Sequence, residues 1–453
     1  MQLVISQSFR KILLVGFWLG YFFILNTSTA CLAPCLANNV YLNNRELIVE
    51  KLLEDGSLSN GRPYIIQGVT WSPATRAPRE GVNISFEREI VSYGFFFDWP
   101  GRKPQGHEIF VSWLRKQHIK YYKRDITLMK EMGVNTVRVY SDFGDNKKDY
   151  IQILDEFQKN GIMVIMTVAS SREEIDSRRY LKIVRFCKDH PSVLMWSIGN
   201  EWNLDYHKYW GYKTVDEAAL ATNFVAKQIK KIDPNHPVSS CLGDRFVDED
   251  SKNRISWVLK VCSEVDVWGL NVYRGDSFGS LFQEWSTCSN KPFYFSEFGT
   301  DSFQTTSYRL VDGNKADSCK GKANEEIQAV VDIKLWEEIV PQLSALNSEG
   351  YCLGGLIHSF SDTLYKVGSY HLGLGGLIDY YSFLERESYM EYNSEGFYLS
   401  GGHPDDVANE EYFGLVDADL KPKKAYWLIG EFYSKLEKLK EAHFLLRKDD
   451  AIR

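Results

Sequence analysis

Lysine and arginine form no long cluster in this chain, and the formal net charge is -7. A nucleic-acid partner needs a basic footprint, so that class is excluded. No CxxC spacing occurs among Cys187, Cys241, Cys262, Cys288, Cys319 and Cys352, and the nine histidines are scattered. The ligand spacing of a zinc site or of a metal-dependent hydrolase is therefore missing, and neither a metal nor a cofactor is expected. The longest apolar run near the N-terminus, Ile12 to Leu25, is short of the roughly 20 residues that span a bilayer as a helix. No internal repeat, low-complexity tract or linker interrupts the sequence.

That apolar run has a different meaning. Arg10 and Lys11 precede it, and the small residues Ser28, Thr29 and Ala30 follow it, which is the pattern of an export signal over residues 1–30. A secreted or periplasmic protein with no permanent membrane span after signal removal is expected. Cys31 leaves lipoprotein anchoring open, although Ser28 stands where such signals carry a bulky aliphatic residue. An oxidising compartment permits disulfides among the six body cysteines. Cys288 and Cys319 flank one strand-like run and are placed to tie down the loop after it; buried free thiols are the alternative.

What is abundant is aromatic: 12 Trp, 26 Tyr and 26 Phe make 14% of 453 residues. Such rings build a large core, and near strand ends they also suit stacking on sugar faces. Short β-rich runs alternate with amphipathic ones, the pattern of βα units. The expected strands are Tyr64–Trp71, Thr136–Tyr140, Ile162–Val168, the VLMWSIGNEW run, Val238–Leu242, Val265–Tyr273, Pro292–Phe298 and Leu353–Phe360. The expected helices are Lys120–Met132, Tyr150–Lys159, Glu173–Cys187, Val215–Ile232, Ile255–Val261, Glu325–Leu343 and Lys424–Leu439. Eight strands imply a (β/α)8 TIM barrel over residues 61–440, preceded by an extension and short hairpin over 31–60 and followed by a charged tail over 441–453. The connections Ser72–His118 and Asp362–Lys421 follow strands, so they fall on the C-terminal face, where barrel active sites are built.

Two glutamates end strand-like runs, Glu201 in GNEW and Glu297 in FSEFG. A buried carboxylate is costly without a partner; two of them on the fourth and seventh strands face one mouth. That pair is the minimum apparatus for cleaving a glycosidic bond. A lone strand-end glutamate is more often a salt-bridged rim residue, but the pairing, with Asn200 beside one and aromatics beside both, favours chemistry.

WSIGNEW and FYFSEFG resemble the acid/base and nucleophile strands of retaining β-glycosidases. The sequence is most similar to the catalytic barrel of glycoside hydrolase family 2. GRPYIIQGVTW, MKEMGVNTVRVYSD, NGIMVIM, WGLNVY and NEEYFGLVDADLKPKKAYW extend the resemblance over Gly61 to Trp427. It implies that Glu201 is the proton donor, Glu297 the nucleophile and Asn200 the contact to the sugar 2-hydroxyl. It further implies that Arg138 keeps the nucleophile ionised and that the Tyr273 hydroxyl bonds to it. Trp202, Trp71 and Phe360 are the candidate aromatic contacts to an oligo- or polysaccharide substrate, and His358 is read as a core residue. Family 2 enzymes usually carry β-sandwich domains before the barrel, for which this chain has no room. The eighth strand normally ends in Glu-Trp before Ser-Asp but here reads Ser359-Phe360-Ser361-Asp362, which leaves the sugar undetermined. KRDITLMKEMGVNTVRVYSD also resembles the β-1,3-glucanosyltransferases, so a β-glucan transglycosylase and a non-catalytic carbohydrate-binding barrel are the competing expectations.

Overall fold

The apolar runs that are too short for helices become the staves of a closed barrel. A computed structural model describes residues 38–53, 55, 57–73, 105–140, 143–204, 207, 210–245, 254–311, 315–363, 404–405 and 408–452. The expected signal segment, and most of the second long connection, lie outside the described residues. In chain order the elements begin with β1 (Asn39–Asn43), β2 (Glu46–Glu50) and β3 (Arg62–Pro63), an antiparallel sheet. Then come β4 (Ile66–Trp71), α1 (Gln105–Glu131), β5 (Thr136–Val139), α2 (Lys147–Lys159), β6 (Met163–Ala169), α3 (Arg172–Asp176) and α4 (Arg179–Cys187). They continue with β7 (Val193–Ile198), α5 (Val215–Ile232), β8 (Val238–Gly243), α6 (Arg254–Val261), β9 (Val267–Asn271), α7 (Leu281–Cys288) and β10 (Phe293–Phe298). The chain closes with β11 (Phe303–Val311), β12 (Lys315–Ala323), α8 (Glu325–Ile339), β13 (Cys352–Ile357) and α9 (Lys424–Ile452).

The barrel is β4-β5-β6-β7-β8-β9-β10-β13, with β13 returning to pair β4 in parallel. Its strands are buried on both faces, as parallel barrel strands must be; all seven residues of β6, MVIMTVA, are buried. Each helix covers the outside with one stripe. On α2, Tyr150, Ile153, Leu154 and Phe157 are buried, and the Asn146 side chain caps its N-terminus by accepting from Asp149 N at 3.2 Å, worth about 1 kcal/mol. The β1–β2 hairpin closes the N-terminal end, since Val40, Leu47 and Val49 pack with Ile66, Ile165, Met195 and Leu356 of the staves.

Four elements depart from the sequence reading, one of them α7, since no helix was expected between β9 and β10. The last part of the first long connection is helix, because α1 begins at Gln105 and not near residue 120; most of the connection before it lies outside the described residues. The expected helix Glu173–Cys187 is two, separated at Arg178, whose φ of 56° is left-handed. An antiparallel hairpin, β11–β12, follows β10 where no strand was expected. The second strand, KADSCKGKA, has no apolar period to announce it; its partner is local, and pairing decided it. Among the described residues Cys187, Cys241, Cys262, Cys288 and Cys352 are free thiols, and Cys319's side chain is not described, so the disulfide is not found there. No helix among the described residues is long and apolar enough to cross a membrane.

A buried ion pair ties the segment after β13 to the base of α9. Lys423 Nζ donates to Asp362 Oδ1 at 2.6 Å and to Ser302 Oγ at 2.7 Å. Burial pushes the Asp362 carboxyl up, against the pull of Lys423, to about 6. Replacing Lys423 by Met should cost about 3–5 kcal/mol at neutral pH, because an unpaired carboxylate is left in the interior. The deficit should narrow as pH falls through the Asp362 titration, since the protonated carboxyl no longer needs the cation; urea melts across that range measure it.

Candidate active site

Arg138 lies wholly inside the barrel on β5, with no exposed surface. A guanidinium there must spend its donors on fixed partners. Its Nη1 donates to Glu297 Oε1 at 2.9 Å and more weakly to the Ser296 carbonyl at 3.3 Å and Asn271 Oδ1 at 3.4 Å. Its Nη2 donates to Asn200 Oδ1 at 2.6 Å. One cation therefore links the second, fourth, sixth and seventh staves at the C-terminal mouth.

Glu297 is the sixth-to-seventh stave junction of this network. Its Oε2 accepts from the Tyr273 hydroxyl at 2.9 Å and lies 3.9 Å from His358 Nδ1. Burial raises its carboxyl pKa, but the charge of His358, the Arg138 guanidinium and hydrogen bonds from Tyr140 and Tyr273 outweigh that and hold it below the usual value. Glu297 is thus an anion with its charge already compensated.

Glu201 sits three residues beyond β7 in a turn that the sequence Ile-Gly-Asn-Glu dictates. Gly199 has φ 71°, and a Cβ there would meet Trp202 Cδ1 at 2.6 Å. Glu201 itself is left-handed at φ 52°, a conformation that costs a non-glycine residue energy and clusters at functional sites. Its N–H to the Cys241 carbonyl at 3.0 Å helps hold it there. Its Oε1 accepts from Asn271 Nδ2 at 2.9 Å. Burial first, and then the Glu297 charge, push its carboxyl up to about 8, with Glu410 adding to the rise and Asn271 and Arg138 opposing it. At neutral pH Glu201 is therefore a neutral acid beside an anion, the separation of roles that acid/base chemistry requires.

Asn200 Oδ1 accepts from both Arg138 and Asn271 Nδ2, the latter at 3.2 Å. Its amide oxygen is thereby turned inward, and its NH2 is the end left to donate to a ligand.

The structure brings Glu201, Glu297, Asn200, Arg138 and Tyr273 together. It does not bring Trp71, Trp202 or Phe360 to the mouth as sugar contacts. Side chains alternate along a strand: Thr70 points inward, Oγ1 to His358 Nδ1 at 2.9 Å, so Trp71 points outward. There its Nε1 donates to Asp125 at 3.0 Å and its ring packs on Phe157. Trp202 folds under its own turn, with Nε1 on Ser240 Oγ at 2.9 Å, and is 1% exposed. Phe360 has no exposed surface. His358, read as a core residue, instead joins the cluster around Glu297, with Tyr140 OH at 3.1 Å from its Nδ1. Asn271, Ser296, Tyr140 and Glu410 were also missed. Each lay inside a motif already quoted, Tyr140 in TVRVYSD, Asn271 in WGLNVY, Ser296 in FYFSEFG and Glu410 in NEEYFG, but none was singled out.

Among the described residues no group of three or more His, Cys, Asp or Glu side chains is arranged to hold a metal ion.

With this geometry in view, the sequence pattern of the family described as "Glycosyl hydrolases family 2, TIM barrel domain" matches residues 115–309, which include both glutamates and Arg138. A 1,3-beta-glucanosyltransferase of Arthroderma benhamiae is 24% identical over 211 residues, 42% of this chain and 37% of that protein. A beta-glucuronidase of Rattus norvegicus is 24% identical over 260 residues, 54% of this chain and 32% of that protein. The chain thus spans well under half the length of these relatives. Among solved structures, a putative beta-galactosidase from Bacteroides fragilis aligns with a TM-score of 0.47 at 14% identity, covering 88% of this chain and 45% of that one. Within this TIM barrel, residues 115–309 are similar to the family 2 TIM barrel domain.

Proposed function

We propose that this protein is an exported glycoside hydrolase that cleaves β-linked O-glycosides with retention, through a covalent glycosyl-enzyme. The observation that carries this reading is the placement of two buried carboxyls in one hydrogen-bond network, Glu201 against the Asn271 amide and Glu297 between Arg138 and Tyr273, an arrangement that pushes the first up and the second down. Glu297 attacks the anomeric carbon while Glu201 protonates the departing oxygen. Asn200, its amide held by Arg138, donates to the 2-hydroxyl, a contact that strengthens as the oxocarbenium-like transition state forms. Once Glu297 is esterified its charge is gone, the acidity of Glu201 rises, and the resulting carboxylate takes a proton from the attacking water. The sugar and its polymer are set by the loops of the mouth.

The pH dependence tests this division. The productive form has Glu297 ionised and Glu201 protonated. On an aryl β-glycoside, kcat/KM should fall above about 8 as Glu201 loses its proton, and fall again at acid pH, lower than an ordinary carboxylate would place it, as Glu297 gains one. A profile still rising at alkaline pH would contradict the acid role of Glu201.

Transfer to a second sugar in place of water is a further reading, supported by the match to the Arthroderma benhamiae 1,3-beta-glucanosyltransferase. Product chain lengths from a concentrated β-1,3-glucan oligosaccharide distinguish it, longer products marking transfer and only shorter ones hydrolysis.

A further inference from the structure

Consecutive strand residues normally face opposite ways, yet Ser296 and Glu297 both reach the interior network. The register of β10 against β9 shifts between Phe295 and Glu297, and such irregularities re-aim side chains next to active sites. Room for the serine is supplied across the pair by Gly269, where a Cβ would lie 2.8 Å from Ser296 Oγ.

Ser296 Oγ donates to Asn271 Oδ1 at 2.6 Å, and both residues have no exposed surface. Arg138 Nη1 reaches the same oxygen at 3.4 Å. Two donors on one end of an amide decide which end is oxygen. The other end, Nδ2, then faces Glu201 Oε1 at 2.9 Å and Asn200 Oδ1 at 3.2 Å. An oxygen that accepts an N–H along this line is not the one carrying the acid proton.

We propose that Ser296 is a positioning residue for Glu201: its hydroxyl locks the Asn271 amide, which holds Glu201 Oε1 and leaves Oε2 to carry the proton delivered to the leaving group. The inference rests on the acid/base reading of Glu201. The charged and titratable groups facing Glu201 are Glu297 from β10, Arg138 from β5 and Glu410 from the 3-10 turn Glu410–Tyr412. The Asn271 contact is a neutral donor that favours the carboxylate.

The test is Ser296→Ala, read by carboxyl NMR titration of Glu201 and by turnover of two aryl β-glycosides. Loosening the donor should raise the Glu201 midpoint by about half to one pH unit. It should lower kcat/KM about tenfold or more on a poor phenol leaving group, the size of a weakened general acid, and leave dinitrophenol release within about twofold. Ser296→Thr should restore both. Asn271→Leu removes the N–H at similar volume without adding a charge and should raise the midpoint further, so it supplies the same readout. An unchanged midpoint in folded variants, or equal losses for both leaving groups, overturns the proposal. A shifted midpoint in a protein whose wild type turns over no aryl β-glycoside supports the positioning and refutes the glycosidase reading instead.

Discussion

Glu297→Ala should reduce turnover of any β-glycoside by about 10⁴-fold or more, the scale of removing a covalent nucleophile, or roughly 5–6 kcal/mol of transition-state stabilisation. Arg138 and Tyr273 make the loss specific. Both already point at the carboxylate, at 2.9 Å each, so no neighbouring group can take its place without breaking the network. If Glu297 is the nucleophile, the space left by its carboxyl is on the side of the sugar opposite the leaving group, which is where azide would enter. Azide should therefore rescue the variant and yield the α-glycosyl azide from a β-glycoside with a good leaving group. A product of retained configuration would assign the nucleophile elsewhere. So would undiminished activity in the variant.

Glu201→Ala should cost about 10²- to 10⁴-fold on substrates that need protonation as they leave, and much less on dinitrophenyl glycosides. With such activated substrates the first step proceeds, but the base for water is gone and the glycosyl-enzyme should accumulate. Mass spectrometry would then find the sugar mass on the peptide containing Glu297. Azide should restore turnover here too, this time with retained configuration, because it attacks the intermediate that Glu297 carries. The alkaline limb near 8 predicted from the raised carboxyl should vanish with the residue. If the limb persists, another group titrates there and Glu201 is not the acid.

The two glutamates were legible because burying charge is expensive and a strand that ends in a carboxylate advertises its exception. Asn200 and Tyr273 were legible through their immediate neighbourhood in GNEW and NVY. Ser296 and Asn271 were not, since serine and asparagine inside a barrel are unremarkable in sequence; their hydrogen bond crosses between two staves 25 positions apart. The aromatics misled for the converse reason. Trp71, Trp202 and Phe360 have the composition of a sugar platform, but strand alternation directs Trp71 and the GNEW turn directs Trp202 into the packing, where Phe360 is buried as well.

His358 shows the same limit from the other side. It carries no motif of its own, and its neighbours Thr70, Tyr140 and Glu297 come from three other staves. The sequence by itself determined the eight-stave count, the placement of Glu201 and Glu297 on the fourth and seventh staves and the hairpin at the closed end, because period, turn residues and buried charge are local properties. Only the tertiary structure decided which side chains reach the mouth and which proton each carboxyl holds. Those depend on strand register and on distances between residues far apart in the chain, and a pKa follows the field at a point in space.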